Sequence, residues 1–169
     1  RESEMVVDLM EKFMEAGFMK ETAVRLMNSA MVLQGTKESY STLDFAQIDL
    51  YDGQAEILKV GASASFIKRG DDVRAISSET LPAGFDINQE LSSVKKHLQD
   101  GDFLVMVTDG VLEYLHTNEP EDRLSEIISE IKTDNAGVLA RSILESVLKC
   151  TGGYAIDDMT VLATGIWEK

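Results

Sequence analysis

The stretch Gly101-Asp102-Phe103-Leu104-Val105-Met106-Val107-Thr108-Asp109-Gly110-Val111-Leu112-Glu113 governs the reading of this chain. Its apolar run reads as a strand that delivers Asp109 to its own C-terminal end, and Gly110 lets the backbone turn immediately beside the carboxylate. A strand end is a rigid platform, which is what holding a metal-binding carboxylate in place requires. The same Asp-Gly pair also fits a plain turn in which Asp109 caps the next helix.

A second acidic element, Asp157-Asp158-Met159-Thr160, stands at the entrance of a β-branched run, Met159 to Ile166, that reads as a buried strand. Adjacent carboxylates repel and Asp has poor β-propensity, so the pair calls for compensation. A divalent cation would supply it, and Mg²⁺ and Mn²⁺ favour carboxylate and water oxygens. A solvated acidic turn is the plainer alternative.

Outward from these two elements the texture is β-type between Tyr40 and Thr108, with runs at 41–50, 54–60, 64–69, 72–77, about 90–98 and 102–108. Asp52-Gly53, Gly70-Asp71 and Asp100-Gly101 are turn dipeptides between them, and their short spacing predicts hairpins and antiparallel pairing. Pro82 cannot donate to a ladder, so Leu81-Pro82-Ala83-Gly84 is expected to be a loop. Before the strands lie two helical stripes. Met5, Val6, Leu9, Met10, Phe13 and Met14 form the first, closed by Gly17 as a cap, and Ala23, Val24, Leu26, Met27, Ala30 and Met31 form the second. The two helices are expected to form an antiparallel pair and to hold six of the eight methionines. After Gly110 the spacing predicts helices at 111–115, 122–132 (Leu124, Ile127, Ile128, Ile131) and 136–149 (Val138, Leu139, Ile143, Leu144, Val147, Leu148), then a loop over 150–157 with Gly152-Gly153. The fold class is α+β.

Taken together, TDGVLE after a buried strand and DDMT before the last strand resemble the bacterial branch of the PPM metal-dependent phosphatases. Tyr40-Ser41-Thr42-Leu43-Asp44, the segment Val60-Gly61-Ala62-Ser63-Ala64-Ser65-Phe66-Ile67-Lys68-Arg69-Gly70 and Leu81-Pro82-Ala83-Gly84 extend the likeness over nearly the whole chain. Within that branch the strings are most similar to the stage II sporulation protein E phosphatases. The resemblance implies an αββα sandwich of two antiparallel sheets flanked by helices, N-terminally truncated, with a two-metal site. Two Mn²⁺ or Mg²⁺ ions roughly 3.5–4 Å apart share and acidify a water for in-line attack on phosphorus, without a side-chain nucleophile. By the same resemblance the metal-site residues are Asp109 with Gly110, and Asp157 with Asp158. Asp158 occupies a place often held by Asn. The substrate implied is a phosphoserine or phosphothreonine protein, an anti-sigma-factor antagonist in sporulation. The family's Asp-Gly-x-Gly element, whose Asp bridges both ions, does not occur here. The chain opens at Arg1 in a helical pattern without an initiator Met, so it is expected to be a partial domain and inactive alone.

Composition narrows the alternatives. At 169 residues, 44% hydrophobic and 27% charged, the chain has the make-up of one globular domain. A formal charge of −14 repels nucleic acid and anionic lipid. Cys150 is the only cysteine, so no internal disulfide forms, in keeping with a cytoplasmic domain. No stretch approaches the ~20 apolar residues of a membrane span, so no membrane contact is expected from this segment, although the parent chain is open to anchoring elsewhere. A haloacid-dehalogenase phosphatase would need Asp where Val107 stands. A cysteine phosphatase would need Arg where Ile156 stands. His97 and His116 share no ligand spacing, Gly152-Gly153 lacks the Lys of a nucleotide loop, and Glu113, Glu119, Glu121 and Asp122 read as solvated surface. A reading from another class gives the methionine-rich pair, residues 1–34, a regulatory or homodimerising role, because Met side chains repack readily.

Overall fold

The computed structural model describes residues 2–34, 40–91, 93–150 and 157–168. The elements in chain order are α1 (Glu2–Glu15), α2 (Lys20–Gln34), β1 (Leu43–Ile48), β2 (Gln54–Val60), β3 (Ser65–Arg69), β4 (Asp72–Ile76), β5 (Ser93–His97), β6 (Phe103–Val107), α3 (Asp109–Glu113), α4 (Pro120–Glu130), α5 (Ala136–Cys150) and β7 (Val161–Gly165). The chain divides into two compact units. The first comprises Arg1–Phe45, Leu58–Ala62 and Ser78–Ser93; the second comprises Ala46–Ile57, Ser63–Ser77 and Val94–Lys169.

In the first unit the α1 stripe does what its spacing predicts: Val6 and Met10 are buried, and Met5, Leu9, Phe13 and Met14 pack against the same cluster. Gly17 ends the helix at φ 82°, with its N–H bonded to Met14 O and the Phe18 N–H to Phe13 O, both at 3.0 Å. This double bond around a left-handed residue satisfies carbonyls that the helix end would leave open. On α2, Ala23, Val24, Met27 and Met31 are buried, whereas Leu26 is 39% exposed and lies off the buried stripe. Met19 falls in the connection between the helices and is 73% exposed, so five of the six methionines lie on the helices themselves.

In the second unit a four-stranded sheet runs β4-β3-β6-β7 with every neighbouring pair antiparallel. Central β6 explains its own sequence. Phe103, Val105 and Val107 join a core with Phe66, Val111, Leu124, Ile128, Leu139, Ile143 and Val147. Leu104 and Met106 meet a second cluster with Ile57 and Ile76. A strand buried on both faces is apolar at successive positions. Helix α4 starts at Pro120, two residues before the predicted boundary, because a first-turn proline loses no helical bond. Val138, expected on the buried stripe of α5, is half exposed.

One turn departs from expectation. Gly70-Asp71 does join a hairpin, β3 to β4, but Asp100-Gly101 does not, since β5 belongs to a three-stranded sheet of order β1-β2-β5 and β6 to the other. The Gly101 N–H bonds to Ile166 O and the Ile166 N–H to Asp102 O, both at 2.9 Å. The buried Asp102 carboxylate takes the Gln99 N–H at 2.8 Å and two Arg69 N–H groups at 2.9 and 2.7 Å. These non-local bonds draw the chain out of the plane that a hairpin would keep.

Candidate metal centre

The two acidic elements meet because β6 and β7 are paired. Their register runs from Phe103↔Gly165 to Val107↔Val161, and the ladder continues one step beyond. The Thr108 N–H donates to Thr160 O at 3.1 Å and the Thr160 N–H donates to Thr108 Oγ1 at 2.9 Å. Asp109 and the 157–159 segment therefore emerge at the same end of one strand pair. Thr108 holds the N-cap position of α3 in extended geometry, and no side-chain bond caps the helix. Asp109 is thus the first helical residue and not the cap.

Each aspartate is oriented by its own neighbour. Asp109 Oδ1 accepts the Gly110 N–H at 2.9 Å, and Asp157 Oδ1 accepts the Asp158 N–H at 2.7 Å. Asp109, Asp157 and Asp158 are exposed. Gly110 is buried in the first turn of α3, and its reason for being glycine is space: a Cβ there would lie 2.5 Å from the Asp158 carbonyl oxygen. The Asp157 N–H donates to the Tyr114 hydroxyl at 2.5 Å. Thr108, Gly110 and Tyr114 thus hold Thr160, Asp158 and Asp157 in turn.

The donor chemistry fits a hard divalent cation: carboxylate oxygens, solvent-facing, on backbone tied at both strand ends. Among the described residues no group of three or more His, Cys, Asp or Glu side chains gathers into a complete site. Asp109 and Asp157 thus fit as part of a ligand set. The pattern of the sequence singled out these carboxylates and did not point to Tyr114, Thr108 and Thr160, whose bonds tie the two segments. Gly110 and Tyr114 are four apart on a helix and so share a face, the one periodic signal that could have pointed to Tyr114.

The remaining candidates lie apart from this chemistry. The His97 carbonyl accepts from Arg69, and His116 sits in left-handed conformation after α3 at φ 48°. Cys150 is exposed at the end of α5, where its Sγ contacts Ser146 O at 3.5 Å. Glu121 accepts the Ser77 hydroxyl at 2.7 Å. Gly152-Gly153 and Ile156 lie outside the described residues. Met10 is buried, and Met5 and Met14 are half-buried against the same cluster. No described helix is long and apolar enough to cross a membrane.

A family profile described as stage II sporulation protein E (SpoIIE) matches residues 2–166. The chain is 36% identical over 166 residues to stage II sporulation protein E of Bacillus subtilis (strain 168), covering 98% of this chain and 20% of that protein. To the Priestia megaterium protein of the same name it is 35% identical over 162 residues, covering 95% and 28%. It therefore spans less than a third of either relative. A solved structure of the PP2C phosphatase domain and a fragment of the regulatory domain of SpoIIE from Bacillus subtilis superimposes with a TM-score of 0.88 at 36% identity, over 96% of this chain and 48% of that one. The Mn-presoaked phosphatase domain of the same protein gives 0.74 at 33%, over 97% and 74%.

Proposed function

This chain belongs to the stage II sporulation protein E family and has the fold of its PP2C-type phosphatase domain, and from that premise we propose that it is the larger part of the catalytic domain of a metal-dependent phosphoserine/phosphothreonine protein phosphatase. Asp109 and Asp157 are the ligands it contributes, with Gly110 giving the room for their approach and Asp158 beside them. The cations are Mn²⁺ or Mg²⁺. The carboxylate donors support this, as does the manganese soak of a relative. When bound, such a pair supplies Lewis acidity toward a phosphoryl group and an acidified water. The chain's own residues hold two carboxylates at fixed direction on the end of a buried strand pair. The substrate is a phosphorylated protein, the anti-sigma-factor antagonist that the family resemblance implies, and the domain works in the cytoplasm, its parent chain open to a membrane anchor elsewhere.

One observation carries the reading: the ladder step between Thr108 and Thr160 brings TDG and DDMT to one strand end. Two aspartates hold a divalent ion weakly, so residues 1–169 alone are expected to be inactive. The test is phosphate release from a phosphoserine protein by the full-length protein, with and without Mn²⁺. Asp109→Asn and Asp157→Asn each abolish turnover while folding survives. Asp158→Asn is mild and Cys150→Ser silent. Metal-independent turnover, or a wild-type rate in Asp109→Asn, overturns the assignment.

A further inference from the structure

We infer that Tyr114 is a positioning residue for the metal centre, its hydroxyl fixing the peptide plane of Asp157 and through it the direction of the Asp157 carboxylate. The inference rests on the phosphatase reading above. Tyr114 is 4% exposed and belongs to the same core cluster as Val111 and Leu115. Its ring is immobilised by packing, and a phenol has few torsions to lose, so it stands as a stiff post at the C-cap of α3. At its tip the hydroxyl accepts the Asp157 N–H at 2.5 Å.

The buried residues of that cluster are otherwise Val, Leu, Ile, Phe and Ala64, all apolar. A phenylalanine would fill the same volume, whereas a buried hydroxyl is costly unless it is hydrogen-bonded. What the oxygen adds here is the bond to Asp157. That bond holds the backbone nitrogen from which the Asp157 side chain branches, and the carboxylate itself is tied at its other end, Asp157 Oδ1 accepting the Asp158 N–H at 2.7 Å. Rotation of the 157 peptide would carry the side chain and its tether together. Thr108 already sets the register through Thr160, and Gly110 sets the closeness of Asp158. Neither constrains the peptide preceding Asp157. Tyr114 constrains the Asp157 N–H, and as the helical C-cap of α3, four residues after Gly110, it lies on the same face as that glycine.

The test uses the full-length protein and Mn²⁺ alone as probe, with binding read by electron paramagnetic resonance. Outer partners of metal ligands are worth roughly 10- to 100-fold in affinity, and a neutral bond to backbone belongs at the lower end. Tyr114→Phe is expected to weaken Mn²⁺ binding about tenfold, to raise the Mn²⁺ needed for half-maximal turnover in parallel, and to have its loss made good by added Mn²⁺. The melting temperature without metal is expected to change little. Unaltered Mn²⁺ affinity in a folded Tyr114→Phe overturns the inference alone. Absence of Mn²⁺ binding by the unsubstituted protein overturns both readings. Amide exchange in the unsubstituted protein adds a check independent of how the variant folds: the Asp157 N–H is expected to be protected, and exchange at the rate of an open loop overturns the role of Tyr114.

Discussion

The two compact units bury their interiors with different materials. In the first, Met10, Met27 and Met31 share the core with Val6, Val24, Leu58 and Val60. The buried Asn28 amide there donates to Asp86 O and accepts from the Gly84 N–H, both at 2.8 Å. In the second, which carries the aspartates, the core is Phe66, Val105, Val111, Leu124, Ile128, Leu139, Ile143 and Val147, without a fully buried methionine. β-Branched side chains have one strongly preferred rotamer, whereas methionine has three soft torsions. A ligand pair that must be aimed to a fraction of an ångström belongs on the stiff interior. The difference teaches that the methionine content of the helix pair is a property of its core, and that precision in this molecule lies under β6 and β7.

Matched truncations test this contrast with the largest expected effects. Ile143→Ala should destabilise by about 4 kcal/mol and Met27→Ala by about 2–3 kcal/mol, both within the range for large-to-small core changes. The second is smaller because Met10 and Met31 are close enough to relax into the space. Denaturant titrations of the two variants measure the gap. Equal costs, or a larger one at Met27, would break the comparison. The isosteric exchanges should be mild, under about 1.5 kcal/mol each.

Gly110→Ala comes next. In an exposed helix the change from glycine to alanine stabilises by about 1 kcal/mol. Here the sign should reverse, to a loss of about 1–3 kcal/mol, since the new Cβ would lie 2.5 Å from a backbone oxygen of Asp158 that cannot swing away alone. Activity should fall further than stability, because the segment displaced carries Asp157. A stabilised, fully active Gly110→Ala would show that the two acidic elements are not held together as described.

How far these features were legible in the sequence follows from how local their causes are. Strand β2 was read to the residue, 54–60, because Asp52-Gly53 and Gly61 punctuate it on both sides. Strand β1 was read too long at its end, since Asp49 opens the turn: its side chain takes the Tyr51 N–H and its carbonyl the Gly53 N–H. Leu26 and Val138 were misplaced because helical periodicity does not say where a buried stripe ends. The Asp100-Gly101 turn was misread as a hairpin because its partner, Ile166, is far along the chain. At the site the carboxylates stood out by composition and position. Thr108 and Thr160 are joined across strands 52 residues apart in sequence, and Tyr114 reaches Asp157 43 residues on, so these bonds leave no local pattern beyond the four-residue spacing of Gly110 and Tyr114.

The smallest predicted effect concerns the buried lysines, of which each unit has one among the described residues. Lys59 in the first is ion-paired with Asp44 at 2.6 Å. Lys68 in the second donates to the Gly70 carbonyl at 2.6 Å. Burial first, then the positive charge of Lys132, holds the Lys68 pKa below its ordinary value, and Asp71 opposes them. Lys132 is itself bonded to Asp71. A lysine with a lowered pKa in the folded state binds fewer protons there than in the unfolded chain between the two pKa values. Stability therefore rises with pH across that window, and below it the folded state carries the full cost of the buried charge. Lys68→Met should leave stability at neutral pH within about 1 kcal/mol, because the relieved charge offsets the lost bond to Gly70, and should flatten the alkaline rise. Lys132→Met should shrink the rise without removing it, since burial is the larger cause. Urea midpoints measured from neutral to alkaline pH read both changes. An undiminished rise in Lys68→Met would mean that this lysine is compensated as fully as Lys59, and the contrast between the two units would then rest on their apolar side chains alone.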